Sequence, residues 1–399
     1  MESTVVTEYL RLGLAFDRVE PGFVDAYTGD PRLRADVESG PRPDPADLAR
    51  RARELRSQLP GELSSERAAF VESHLVALDC SARKMAGDHI GFVDEVRAYF
   101  DVDIEPADPQ VYRDAHAQLA AELDVAVSGV ADAYAEHRRR DEIPANRVDE
   151  CVHAFASALR DRVRAEYPLP DNEIVDFEVV SDKPWSGFNY YLGEYRSRVA
   201  INGDLTQYMS SLPHLIAHEA YPGHHTEHCR KEQFLVGAGQ HEQSIFLVNT
   251  PQCLMAEGLA DHALIAAVGS DWGVWAQEIY ADLGLRFDGE RAQRVGRATS
   301  GLLSVRQDAA LLLHDRGADE DTVAEFLQTW LLAPPARARQ MLRFLTSPLW
   351  RAYISTYVEG YRLLQRWLDA APASQRLARF GRLLDEPLTP AALRGELNT

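Results

Sequence analysis

An α-helix cannot run unbroken through Pro222-Gly223. That pair sits inside the segment richest in chemistry, His218-Glu219-Ala220-Tyr221-Pro222-Gly223-His224-His225. Proline lacks the N–H that would bond four residues back, and its ring crowds the carbonyl of His218. Gly223 adds backbone freedom. Leu212, Leu215, Ile216 and Tyr221 recur at helical spacing, so a helix is predicted to enter the segment and to kink or unwind within about a turn of His218. On a straight helix at about 100° per residue, His225 would stand roughly 20° from His218 around the axis and His224 roughly 120° away. Straight geometry favours His225 as the partner of His218, whereas a break at Pro-Gly could bring His224 round instead.

A His-Glu pair followed closely by more histidine is how a metal-hydrolase site begins. Neutral imidazole is a good zinc ligand, and an adjacent carboxylate can take a proton from activated water. The usual helix reads His-Glu-x-x-His; here proline occupies the last position, so any site is a modified one. A third ligand is found in Glu257-Gly258-Leu259-Ala260-Asp261-His262, within an apolar stretch from Cys253 to Val268. Glu257 and Asp261, four apart, share a helix face. Asp261 is placed to hold a ligating imidazole by its other nitrogen. His228 and His262 read as bystanders.

At these residues the chain resembles the DUF885 family of bacterial proteins, which are mostly helical, zincin-like proteins of the metallopeptidase type. The resemblance runs from about Asn189 to Trp367. It rests on His-Glu-x-x-Pro-Gly-His and on the Glu-Gly of the second helix. It also takes in Asp308-Ala309-Ala310 with His314, and Tyr357-Val358-Glu359-Gly360. It implies metal roles for His218, His224 and Glu257 and a general-base role for Glu219. Leu259 departs from the Glu-Gly-Trp usual in that family, which bears on the shape of the substrate pocket.

Tyr357 lies in an aromatic run with Tyr353, Tyr361 and Trp367. It reads either as core packing or as a phenol donating to a developing oxyanion. Arg351 and Arg362 flank the run and are candidate forks for a substrate carboxylate, although an exposed helical arginine is the ordinary reading.

The net charge of −20 over 399 residues argues against nucleic acid and anionic membrane surfaces as partners. No apolar run reaches the roughly 18 residues that span a bilayer. Met1-Glu2-Ser3-Thr4 shows no signal pattern. Cys80, Cys151, Cys229 and Cys253 are scattered, as reduced thiols of a cytoplasmic protein would be. A nucleophilic role for Cys229 or Cys253 is disfavoured.

Helical periodicity dominates the first half, beginning with Val6, Leu10 and Leu14 and continuing over 46–58, 64–85, 89–101, 109–140 and 146–166. Gly40 to Pro45 is a turn or short linker. Ile174 to Val180 and Arg198 to Ile201 read as strands, the second ending at the Asn202-Gly203 turn. They are expected to form a small antiparallel sheet beside the cleft. An edge strand there could hold an extended peptide, which a proline at Val199 would test. The expected architecture is mainly α: one catalytic domain with a helical part (1–167), a part carrying strands and site helices (168–370) and a C-terminal helix and tail (371–399). The expected function is a zinc-dependent metallopeptidase cleaving a peptide or small amide. Iron-dependent or lyase chemistry and an inactive binding scaffold are the alternatives.

Overall fold

The computed structural model describes residues 4–181 and 186–398, so the reading of Met1 to Ser3 lies outside the described residues. The chain is mainly α-helical. Helix Thr4–Asp17 buries Val6, Leu10 and Leu14 as their spacing predicts. Helices Pro45–Gln58, Ser65–Met85, Phe92–Phe100 and Val148–Glu166 fall where the periodicity puts them. The proline-rich linker ends in a cap: the Asp44 side chain accepts from the Ala46 N–H, and Pro45 takes the first helical position, where its missing donor costs nothing.

The stretch predicted as one helix over 109–140 is two, Pro109–Leu123 and Val130–Arg140. Asp124 stops the first in the left-handed conformation, at φ 58°. Aspartate visits that region more readily than most residues, and hydrophobic spacing carries no trace of it. One hydrophobic cluster extends from Val5 to Leu393. A small second one joins the divided pair to the 289–299 helix through Leu119, Val130 and Val295.

Five strands are present among the described residues: β1 Val24–Tyr27, β2 Ile174–Val180, β3 Gly187–Gly193, β4 Arg196–Asn202 and β5 Ile245–Leu247. β1 and β5 form an antiparallel pair, and the other three are ordered β2-β4-β3. The two strands expected from the sequence are β2 and β4, and they run parallel, not antiparallel. The reason is β3, which the sequence reading passed over: it lies between them in the chain, reverses direction and pairs antiparallel with β4. The β3–β4 turn uses Glu194 and Tyr195, both at positive φ, the turn that suits the twist of a hairpin. Val199 therefore sits in the central strand, and the edge beside the site belongs to β3. Among the described residues, no single helix is long and apolar enough to cross a membrane.

Candidate metal centre

Helix Leu212–Glu219 ends at the predicted break. The chain folds back so tightly that the Gly223 N–H donates to Ala217 O at 2.9 Å. A Cβ on Gly223 would stand 1.9 Å from His218 O and 2.5 Å from Ala217 O, so only glycine fits. The Tyr221–Pro222 peptide is cis. A second helix, His224–Lys231, starts at once. Thr226 Oγ1 donates to Ala220 O at 3.1 Å and fastens it to the first. This break, which removes the straight-helix register, turns His224 rather than His225 toward His218. The His218 and His224 rings are 4.7 Å apart and nearly perpendicular.

Glu257 reaches the same point from helix Pro251–Val268. His218 Nε2 is 3.2 Å from Glu257 Oε2, and His224 Nε2 is 3.9 Å from Glu257 Oε1. One donor atom from each of the three residues lies within 4.8 Å of the others. Donors about 2.1 Å from a tetrahedral ion stand about 3.4 Å apart, so this set fits a small cation with little movement. Glu257 Oε2 is buried and accepts no well-aligned hydrogen bond, its nearest charged neighbour being the His218 ring, a position that a bound cation would complete. Behind the rings stand two more carboxylates: Asp261 Oδ1 is 3.1 Å from His218 Nδ1, and Glu227 Oε2 is 3.9 Å from His224 Nδ1. The Asp261 contact leaves His218 Nε2 as the free ligating nitrogen.

Two glycines set the opposite wall. A Cβ on Gly258 would meet the Gly360 carbonyl at 2.7 Å, and one on Gly360 would meet Leu254 O at 2.5 Å. The backbones of the Glu257 helix and of the π-helical turn Thr356–Gly360 thus touch. That approach lets Tyr353 OH donate to Glu257 Oε1 at 2.6 Å and packs Tyr357 edge-on against Tyr353. On the sheet side, Asn189 of β3 donates to Glu219 O at 2.6 Å. Gly187 leaves room for the Glu219 side chain, since a Cβ there would lie 3.2 Å from Glu219 Oε1.

Electrostatics reflect this crowding. Burial would lower the pKa of His218, yet Asp261 and Glu257 hold it well above the usual imidazole range. His224 is raised too, against burial, by Glu227 and Glu257. Burial raises Glu219, with His218 and His224 opposing. Burial, assisted by Glu257, keeps Tyr357 a neutral donor. Asp25 of β1 joins the cluster from far away in sequence. Burial pushes it up to about 7, His224 opposing and Glu257 and Glu219 assisting.

Several sequence candidates lie elsewhere. Both ring nitrogens of His225 are occupied, Nδ1 by Ser197 Oγ at 2.9 Å and Nε2 by Glu173 Oε2 at 3.0 Å. His228 stacks on Tyr191, and His262 Nε2 meets Tyr361 O at 3.0 Å. Burial pushes the Cys229 and Cys253 thiols up, away from thiolate. Asp308 accepts from Tyr112 OH at 2.7 Å and from the Ala107 N–H. The proposed carboxylate forks are committed to internal pairs, Arg351 with Glu95 at 3.0 Å and Arg362 with Glu359 at 3.0 Å. Asp25, Asn189 and Tyr353 were not singled out as site residues. Only Tyr353 had a local signal, its position one turn before Tyr357 in the same aromatic run.

No family model matches the chain, and no curated protein matches it. The structure is similar to that of a candidate lipoprotein from Colwellia psychrerythraea, with TM-score 0.54 and 13% identity over 88% of this chain and 66% of that one. It is also similar to a candidate lipoprotein of unknown function from Shewanella oneidensis, with TM-score 0.50 and 13% identity over 92% and 76%. The chain thus spans just under two thirds of the length of the first. An M32 carboxypeptidase from Deinococcus radiodurans overlaps 98% of this chain and 93% of its own at 14% identity and TM-score 0.41, a score too low to argue from. These likenesses concern the fold alone.

Proposed function

We propose that this protein is a zinc-dependent hydrolase of the metallopeptidase type, acting on a peptide or small amide and related to the DUF885 proteins its motifs resemble. The observation that carries this reading is the convergence of His218, His224 and Glu257, with the Glu219 carboxylate beside them on the same helix end. His218, His224 and Glu257 would hold the ion. Bound zinc would supply Lewis acidity, activating water and polarising a carbonyl. Glu219 accepts the proton of the attacking water and passes it to the leaving amine. A base of raised pKa suits both halves of that transfer. Tyr357, kept neutral, donates to the carbonyl oxygen as negative charge grows there. β3 offers an edge along which an extended substrate could lie.

The test is Glu219→Gln in zinc-loaded protein. It should bind metal as the wild type does, as read by mass spectrometry, while peptide turnover falls by about 10²–10⁴. Retained turnover would remove the general-base role. Iron as the bound metal, with oxygen consumption, would replace the hydrolase reading.

A further inference from the structure

One small cavity collects polar atoms that the fold leaves without partners. It is partly open, measures about 20 Å³ and has Thr28, Tyr191, His228, Lys231, Gln243 and Gln252 in its lining. A water needs roughly 10–15 Å³, so there is room for one water-sized group or two. Among the described residues, Gln243 Nε2 and Oε1 are both buried and neither makes a hydrogen bond. Gln252 is 6% exposed, and its Oε1, near the His74 ring, accepts none either. Buried amides are ordinarily satisfied in folded proteins, and an exception calls for a water or a ligand.

The charges in the lining are already answered. Lys231 Nζ donates to Glu227 Oε1 at 2.6 Å. Glu232, also in the wall, accepts from Tyr191 OH at 2.6 Å and from the Glu194 N–H at 3.1 Å. His228 lies flat on the Tyr191 ring, 4.6 Å away. Burial keeps it uncharged, its pKa pushed down to about 3. What is left over is an amide donor beside amide acceptors. An anion would satisfy only the first and a cation only the second, whereas a neutral group that both donates and accepts satisfies all of them.

The cavity adjoins the metal centre. His228 follows His224 by four residues on one helix, about 6 Å along its axis. Tyr191 follows Asn189 by two residues on β3, about 7 Å on and on the same face, and Asn189 is bonded to Glu219 O. Glu227 ties the two places together: Lys231 holds its Oε1, and its Oε2 is 3.9 Å from His224 Nδ1. An extended peptide sends side chains to one face at the same spacing of about 7 Å. A peptide following β3 past Glu219 therefore has a side chain in reach of the cavity.

We propose that this cavity binds a small neutral group that both donates and accepts a hydrogen bond, a carboxamide or a hydroxyl, and that Gln243 selects it. That the group is the end of a substrate side chain next to the scissile bond rests on the hydrolase reading above; the binding itself does not.

Ligand-observed NMR on the full-length protein without added zinc tests the cavity apart from catalysis. The probes are butyramide, 1-butanol, 2-pentanone and butyrate. Butyramide or 1-butanol should bind better than 2-pentanone, which only accepts, and better than charged butyrate. Preference for butyramide identifies an amide side chain, and preference for 1-butanol a hydroxyl one. Gln243→Leu should weaken the favoured probe on the order of tenfold, as for one or two lost hydrogen bonds, and Gln243→Asn should recover part of that. Gln243→Leu should also melt at or above the wild-type temperature, because it removes an unpaired buried amide. In an active enzyme, peptides with asparagine, glutamine, serine or threonine beside the cut should have a lower KM than the alanine peptide, a difference lost in Gln243→Leu. Equal binding of the four probes, strongest binding of butyrate, unchanged affinity in Gln243→Leu or a lowered melting temperature in that variant would overturn the proposal. Butyramide or 1-butanol binding by protein that cleaves no peptide when zinc-loaded would remove the hydrolase reading and leave the cavity's assignment standing.

Discussion

His224 and His225 are neighbours in sequence and both lie inside protein, yet they belong to opposite kinds of site. His225 is in a closed network. Its Nε2 lies on Glu173, its Nδ1 on Ser197, and Glu173 also accepts from Tyr221 OH at 2.8 Å and Arg160 Nε at 2.6 Å. Burial lowers the His225 pKa, so the ring is neutral, donating to the carboxylate and accepting from the serine. His224 is in an open cluster, where Glu257 Oε2 and Glu227 Oε2 are buried without hydrogen bonds. A network whose polar atoms all find partners holds the fold. One with carboxylate oxygens left over is arranged for something that binds later. Histidine count cannot make that distinction; the Pro-Gly break makes it, by sending two adjacent rings to different sides.

Glu257→Ala breaks the comparison most severely. It deletes the ligand on which both site imidazoles converge. Metal content should fall from about one zinc per molecule, as a three-ligand site would hold, to background, and turnover should vanish with it. Folding should persist. Mass spectrometry of metal content beside circular dichroism checks this, and undiminished zinc would place the site elsewhere.

The closed network should respond in the opposite way. Glu173→Gln should destabilise the fold by about 1.5–3 kcal/mol, as for weakened hydrogen bonds to a charged, buried carboxylate, and leave zinc stoichiometry intact in the folded fraction. The effect has a pH signature. Burial would raise Glu173, but His225, Arg160 and Tyr221 outweigh it and hold the pKa at about 2, below the ordinary 4.5. Its stabilisation is complete above about pH 4.5 and fades as pH falls toward 2. Acid unfolding of Glu173→Gln should therefore be shallower than wild type across that window. Parallel curves would show that the network contributes nothing pH-dependent.

Much of this was legible in the sequence, and the division has a physical basis. Helices were readable because their apolar spacing is local, as in Val6, Leu10 and Leu14. The break at Pro222-Gly223 was readable because proline chemistry is local too. The choice between His224 and His225 was not, since it depends on how Gly223 folds back against Ala217 and His218. Sheet polarity was missed because β3, with Phe188, Tyr190 and Tyr191, gave no recognised strand pattern. Asp25, some two hundred residues from His224, comes to the site through tertiary packing alone. Arg351 and Arg362 looked equally available until their partners Glu95 and Glu359 were seen, because sequence shows a charge and not what neutralises it.

Asp261→Asn probes the support behind the open cluster. His218 Nδ1 loses a charged acceptor but keeps a carbonyl of similar shape, so the ring should stay in place with a weaker donor nitrogen. Removing such a partner typically costs 10–100-fold in metal affinity. Competition with a zinc-binding dye measures it, and an affinity equal to wild type would mean that Asp261 does not orient the ligand.

The smallest expected effect is the most specific. Tyr353 OH donates to Glu257 Oε1 at 2.6 Å, the oxygen that lies 3.9 Å from His224 Nε2. The donor therefore leaves Oε2 as the oxygen free for a cation. Tyr353→Phe removes that hydrogen bond without changing the ring that packs against Tyr357. A hydrogen bond to a charged group is worth about 1.5–3 kcal/mol, but a carboxylate freed to bind through either oxygen recovers part of this. Zinc affinity should fall only several-fold, with thermal stability nearly unchanged. Tyr357→Phe should instead leave affinity alone and lower kcat, because its phenol is assigned to the carbonyl oxygen. If the two substitutions gave the same pattern, the aromatic wall would be packing alone, and the division of labour between the two tyrosines would fall.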